Sequence, residues 1–473
     1  MDLREKLRIF SSILCDPSLF DHARIIPGSF TRENGKMPLR TLLTYLIFRQ
    51  GRTLSEDIAR FFPYVSDKGT PSKQAVLKRM SVLNYTVWLQ IQRLFLERIY
   101  LPMKKDHVKG YLLIAIDGTF VTLPKSDVLN QCFGQRENTA SKKNSKNQSP
   151  PQAKVSIAYD VLNHAVLDFQ VDHQNVSEIP LMFRHLEALE DILKDQKIII
   201  LADRYYGSAE LFKYCEMKGY HYLVRAKSNF FKHYREKLPP NSRDDILSIT
   251  MDKLWIGRII HDYIRMYVQK HPELTVRLVK GHYEYDQEEL TYCDRKKKKH
   301  IEIDAEYFTD LDPEEFDADE IIGMYHNDRW DIETAYDTLK TQLDIEQVNS
   351  HNPISVMNEI MAKIIFFNVE NLVWKESQRQ LARNDCIVNN KSVIEKVHCA
   401  WFISAFCSGK FGRESVGKLI RECRRIRILI RPDRHYSRWN KFRIKIDNTR
   451  HRIDGRNNPP LKITKAGLAT SNH

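Results

Sequence analysis

The sequence predicts an α/β protein: a mixed-sheet core with a β-rich insertion, flanked by helical N- and C-terminal regions. Two short, uninterrupted apolar runs, 111–116 and 198–202, have the length and composition of fully buried strands, and each leads into an aspartate. Stretches with helical apolar spacing, 177–193 and 208–218, alternate with them. The chain is 473 residues long, enough for about three domains.

The first hundred residues read as helical. Leu42, Leu43, Leu46 and Ile47 share one face. Thr53 and Glu56 have capping-box spacing and open a short helix that runs through Phe62. Ser72 opens another, 72–83, carrying Lys73, Gln74, Lys78 and Arg79. Short helices ending in a basic one fit a helix-turn-helix-like DNA module and an ordinary helical bundle about equally.

The core begins with the strand run ending at Asp117-Gly118. A Lys/Ser/Asn-rich loop (138–152) leads to two further strands, 153–161 and 165–171, joined by a turn at Asn163-His164. The 177–193 helix, the strand ending at Asp203, the 208–218 helix and a strand at 220–224 complete the unit. From 227 to 309 short alternating pieces (274–279, 289–292, 300–303) read as a β-rich insertion, with the basic run 295–299 as a hairpin turn. Helix returns at 318–343, and after Pro353 long apolar helices are expected at 356–374 and 393–406. The resulting divisions are a helical N-terminal DNA-binding region (1–105), the first part of the core (106–226), the insertion (227–317), a core helix (318–350) and a helical, basic C-terminal region (351–473).

Charge separates this chain from a neutral metabolic domain. Lys plus Arg number 74 and Asp plus Glu 61, a formal net charge of +13. Between Lys410 and Arg456 sixteen Lys or Arg face five acids, so most of the excess sits there, interleaved with Phe411, Tyr436, Trp439 and Phe442. A compact cationic segment of this kind suits a polyanion, because each neutralised phosphate releases counterions. A solvated basic tail is the competing reading. Hydrophobic residues make up 42%, enough to build cores and to exclude a disordered chain. No apolar run approaches the ~18 residues of a membrane span, and residues 1–19 mix charge into their apolar positions, so neither secretion nor membrane insertion is expected. The eight cysteines are scattered without a Cys-x-x-Cys pair, as expected of free thiols in a reducing cytoplasm.

The chemistry lies in the acids. Asp117 and Asp203 are each read as ending an apolar strand, at the mouth of a sheet where sites are built. A strand-end aspartate is more often a cap; two on separate core strands raise the case for a shared site. In the helix 325–340, Tyr325, Arg329, Glu333 and Lys340 are spaced to share a face, which by itself is also the spacing of structural ion pairs. Together, two aspartates, a helix-borne glutamate and neighbouring cations make an oxygen-only metal site beside a phosphate clamp, favouring Mg²⁺ or Mn²⁺ over zinc. Glu178 could be an auxiliary carboxylate, though its place at a helix start suits an N-terminal helix acid better. Trp330 is expected to pack its helix against the core, and Asp331 and Asp337 to face solvent or ion pairs.

With these residues the sequence resembles the insertion-sequence DDE transposases of the IS-four family, in the RNase H-like, retroviral-integrase group. The resemblance rests on Ile116-Asp117-Gly118-Thr119, Ala202-Asp203-Arg204-Tyr205-Tyr206 and Tyr325…Arg329-Trp330-Asp331-Ile332-Glu333…Lys340, within residues 111–368. It implies an RNase H-like core, a DDE triad of Asp117, Asp203 and Glu333, and phosphate contacts from Tyr325, Arg329 and Lys340. One departure stands out: Tyr325 precedes Arg329 by four residues where the family has three.

The resemblance further implies two-metal phosphoryl transfer, with Asp117 bridging the ions and Asp203 and Glu333 holding one each. Water first cuts a transposon end, and the freed 3′ hydroxyl then attacks the second strand or target DNA. Partners are double-stranded DNA with inverted terminal repeats, target DNA, and a second copy of the chain in a synaptic complex; the location is cytoplasmic and nucleoid-associated. Lys73, Lys78 and Arg79 are candidate N-terminal DNA contacts. Trp255, the one tryptophan of the insertion, is a candidate for base stacking, with a buried core Trp as the simpler reading. The alternatives are a silent transposase-derived DNA-binding regulator and an RNase H-like nuclease that only hydrolyses DNA.

Overall fold

A computed structural model describes residues 1–31, 35–65, 69–135, 149–239, 242–290, 296–381 and 385–429, with side chains described outside 283–303. The frame is an eight-stranded mixed sheet: β1 (Leu112–Thr122), β2 (Gln152–Asp160), β3 (Ala165–His173), β4 (Ile198–Ala202), β5 (His221–Arg225), β6 (Asp244–Thr250), β7 (Glu273–Leu290) and β8 (Lys296–Thr309). Strand order across the sheet is β3-β2-β1-β4-β5-β8-β7-β6. The β1–β2–β3 meander is antiparallel, whereas β4 lies parallel to β1 and β5 parallel to β4. The apolar runs behind β1 and β4 are buried throughout, because both lie at the centre of the sheet with cover on each face.

The insertion strands extend this sheet instead of forming a separate layer. β8 pairs antiparallel with β5, β7 with β8 and β6 with β7. β7 and β8 form one long hairpin, far longer than the short pieces legible in sequence. Lys296–Lys299 belong to β8, opposite 287–290, and not to the expected turn; Arg295 lies outside the described residues. Three helices, Lys232–Arg235, Lys253–Gly257 and Asp262–Lys270, interrupt the insertion.

On the other side of the molecule a 27-residue helix, Pro353–Arg379, is buried along nearly its whole length. It contacts β3, the Leu39–Phe48 helix and the Arg413–Arg425 helix. Several of its buried polar residues have partners: Asn358 accepts from Trp88 Nε1 at 2.7 Å, and Asn368 accepts from the Val166 backbone N–H at 2.8 Å. Glu359 and Asp57 flank the buried Arg49 guanidinium, and Lys363 donates to the Arg49 carbonyl at 2.6 Å. Such partnering is what makes buried charge tolerable.

The N-terminal helices therefore pack as part of a larger helical layer. Leu54–Phe61 starts where expected, with Thr53 Oγ1 accepting from Glu56 N, and Lys73–Met80 is capped by Ser72. The expected helix 393–406 is two helices, Asn390–Val397 and Ala400–Ser408, broken at His398-Cys399. The basic C-terminal segment divides as well. Through Leu419, Ile420 and Cys423 the Arg413–Arg425 helix is core, while Tyr436, Trp439 and Phe442 lie outside the described residues. Among the described residues seven cysteines are free thiols, and no helix is long and apolar enough to cross a membrane.

Candidate active site

Asp117 lies within β1, not at its end. Pairing with parallel β4 stops at Ile116 and Ala202, but antiparallel β2 carries β1 on to Thr122, with Asp117 opposite Ile157. Continued support from β2 is why the apolar run ends before the strand does. Asp203 follows Ala202 directly. The two aspartates thus sit one step past the last paired residues of neighbouring strands, whose axes run about 4.8 Å apart.

Glu333 comes from the helix Trp330–Asp337. Its Oε1 accepts from Arg329 Nη1 at 2.6 Å, and Nη2 of the same guanidinium stands 3.7 Å from Asp117 Oδ2. One half-buried cation therefore bridges the helix acid and the strand acid. Tyr325 is buried beneath it, with the Arg329 guanidinium 5.6 Å from the ring centroid. The four-residue spacing between them has a structural cause. Residues Met324–Asp328 form a π-helical turn, in which the Arg329 N–H reaches the Met324 carbonyl at 3.4 Å. A π turn absorbs one extra residue without unwinding the helix. A second such turn, Thr338–Gln342, carries the half-buried Lys340.

The electrostatics are those of crowded acid. Burial pushes the Asp117 carboxyl up to about 6; Glu178 and Asp203 add to the rise, and Arg329 opposes it. Glu178 lies so close that a Cβ at Gly118 would stand 3.3 Å from its Oε1. Lys154 Nζ is 3.6 Å from that same oxygen. Burial beside Asp117 and Glu178 also holds the Tyr206 phenol far above its ordinary range. Among the described residues no three His, Cys, Asp or Glu side chains converge closely enough to hold a metal ion. Glu333 is instead turned onto Arg329.

Several sequence expectations land elsewhere. Trp330 does not pack inward; its side chain is 60% exposed. Asp331 is not a solvent residue, since burial pushes its carboxyl up to about 6. Trp255 is half-buried and stacks on Phe231, ring centroids 5.4 Å apart, in a cluster with Phe230. Lys73 and Lys78 are exposed, whereas Arg79 donates to the Met37 carbonyl at 2.9 Å and lies over the Phe30 ring.

Two features escaped the sequence. Tyr336, one turn beyond Glu333, donates to the Asp117 main-chain carbonyl at 2.6 Å. Beside Asp203 opens a cleft of about 1000 Å³ whose lining includes Arg204, Arg225, Lys227, Arg243 and Lys280. No signal in the sequence unites those cations, because they come from β4–β5 and from the insertion.

The Transposase DDE domain family matches residues 109–369, more than half of the chain. The chain belongs to the DDE transposase-domain family. The matched span holds Asp117, Asp203 and Glu333 together with all eight strands of the sheet, and the fold of this DDE-domain chain is the expected α/β one with an RNase H-like core. No curated protein matches it. Among solved structures it is similar to a cryo-EM structure of the piggyBac transposase synaptic complex with hairpin DNA. That match has 12% identity, covers 89% of this chain and 85% of that one, and has a TM-score of 0.42.

Proposed function

We propose that this DDE-domain chain is an insertion-sequence transposase of the IS-four type that cuts DNA at element ends and joins the freed 3′ hydroxyl to target DNA. Asp117, Asp203 and Glu333 are the catalytic acids in this reading. The observation that carries it is the arrangement of acids from three separate segments: Asp117 and Asp203 each one step past the last paired residues of adjacent parallel strands, and Glu333 tied to Asp117 through Arg329.

The donor set suits a hard divalent cation. All its ligands are carboxylate oxygens, and Asp117 retains its proton well above the ordinary range because burial favours the neutral acid and Arg329 only partly offsets it. Mg²⁺ or Mn²⁺ held by Asp117, Asp203 and Glu333 would stabilise charge on the transferring phosphoryl group and lower the pKa of the attacking hydroxyl. The protein's own groups do the positioning. Turning Arg329 outward frees Glu333 and Asp117 and presents a planar guanidinium to an incoming phosphate. Tyr325 buttresses that guanidinium from below, and Lys340 adds a cation further along the helix. The cationic cleft beyond Asp203 receives DNA backbone leading from the cut. Inverted-repeat ends, target DNA and a second copy of the chain are the partners, in the cytoplasm.

The test is Asp203→Ala on a supercoiled plasmid carrying the DNA that flanks the gene. The variant is expected to bind the plasmid in EDTA as the parent does, yet to show only background nicking and no strand transfer in Mg²⁺. Nicking at the parental rate would remove Asp203 from the site. Nicking by the parent without any joined product would point to a nuclease instead.

A further inference from the structure

The main-chain carbonyl of Asp117 is held by two side-chain hydroxyls. From the helix side Tyr336 donates to it at 2.6 Å, while Tyr336 Oη itself accepts the N–H of Ile157, the residue opposite Asp117, at 3.1 Å. The phenol is thus spliced between β1 and β2 at the level of the acid. From β2, Ser156 Oγ donates to the same carbonyl at 3.2 Å. Ser156 Oγ also stands 2.9 Å from His185 Nε2. His185 Nδ1 lies 2.6 Å from Asp168 Oδ2, a carboxylate that accepts. The His185 ring is fully buried between these two partners. Asp168, His185 and Ser156 form a chain with the order of a hydrolytic triad. Its serine is fully buried and turned onto a backbone carbonyl, so the chain holds a position and attacks nothing.

Tyr336 stands one turn beyond Glu333 on the same helix. A hydrogen bond from that turn to the Asp117 backbone fixes how far the two acids stand apart.

We propose that Tyr336 and Ser156 are positioning residues whose hydroxyls clamp the Asp117 carbonyl and so set the placement of its carboxylate relative to Glu333. The inference rests on the reading of Asp117 and Glu333 as the reacting site's acids. Side chains that orient metal-holding groups from behind typically contribute about 10–100-fold to metal affinity or activity.

The experiment compares Tyr336→Phe, Ser156→Ala and Asp117→Asn with the parent. It measures single-turnover nicking of the flanking-DNA plasmid, plasmid affinity in EDTA, and binding of Mn²⁺ to the DNA-free protein by electron paramagnetic resonance. Tyr336→Phe and Ser156→Ala are expected to keep the parental plasmid affinity. Their nicking rate should fall about 10–100-fold and the half-saturating Mn²⁺ concentration should rise comparably. A purely structural hydroxyl would leave the Mn²⁺ curve of the folded protein where it was. Parental Mn²⁺ binding and nicking in both variants, with Asp117→Asn inactive, overturns the clamp alone. An active Asp117→Asn overturns the reading beneath it. Where Tyr336→Phe lowers the melting temperature, Ser156→Ala decides.

Discussion

Asp117 shows what a reactive carboxylate costs a fold. Its carboxyl is held at about 6, chiefly by burial, against an ordinary 3.8. Between those values the unfolded chain has lost the proton while the folded chain keeps it, so stability falls as pH rises through the window. A shift of that size corresponds to about 3 kcal/mol once both states are ionised. Asp117→Asn removes the titration. In EDTA the variant should match the parent near pH 4 and exceed it by up to about 3 kcal/mol above pH 7, read by denaturant unfolding. An equal gap at both pH values would mean that Asp117 does not titrate as described. Asp331 and Glu370, whose carboxyls burial lifts to about 6 and about 8, tilt the same pH dependence but are common to both proteins. At this scale the acids were legible, since an apolar run interrupted by Asp is a local pattern. Ser156, His185 and Tyr336 were not. Each is an unremarkable residue in its own segment, and its partner lies on another.

The elements divide along the same line between local and distant causes. Caps at Thr53 and Ser72 follow from side chains three residues from their acceptors, and were legible. The length of β1 beyond Asp117 depends on β2, and the reach of β7 and β8 on each other. The π turn before Arg329 is the element with most bearing on the site, because it explains how an extra residue leaves Tyr325 beneath Arg329. Two single deletions test that account. Removing exposed Asn327 should regularise the turn, leaving the melting temperature within a few degrees and nicking within about tenfold of the parent. Removing exposed Trp330 shortens the chain equally, but it lies between Arg329 and Glu333, where no spare residue exists. The two side chains would be rotated about 100° relative to each other. Nicking should drop to background. If both deletions behaved alike, the π turn would not be the absorber of the extra residue.

Across the whole molecule, charge rather than shape was the legible property. The helix Pro353–Arg379 organises the helical layer through pairings with Trp88, Arg49 and Val166, each hundreds of residues distant and invisible to periodicity. The excess of +13, by contrast, is plain in the composition, and the fold now shows how to divide it. Within Lys410–Arg456 the stretch through Cys423 contributes buried core, so deleting from Lys410 would remove part of the fold along with the charge. Truncation after Leu429 spares that helix and still removes eleven Lys or Arg against three Asp, more than half of the net charge. A protein neutralising ~6–10 phosphates loses about 10³–10⁵ in DNA affinity between roughly 50 and 200 mM salt, with a log–log slope near −0.9 per phosphate. The truncated chain should keep its melting temperature and bind plasmid with a slope reduced by several units. What remains should fall further when Lys227 and Arg243 of the cleft are changed to Gln. A full slope after truncation would assign the phosphate contacts to the cleft and to Lys73 and Lys78 instead, and the cleft substitutions would then carry the larger loss.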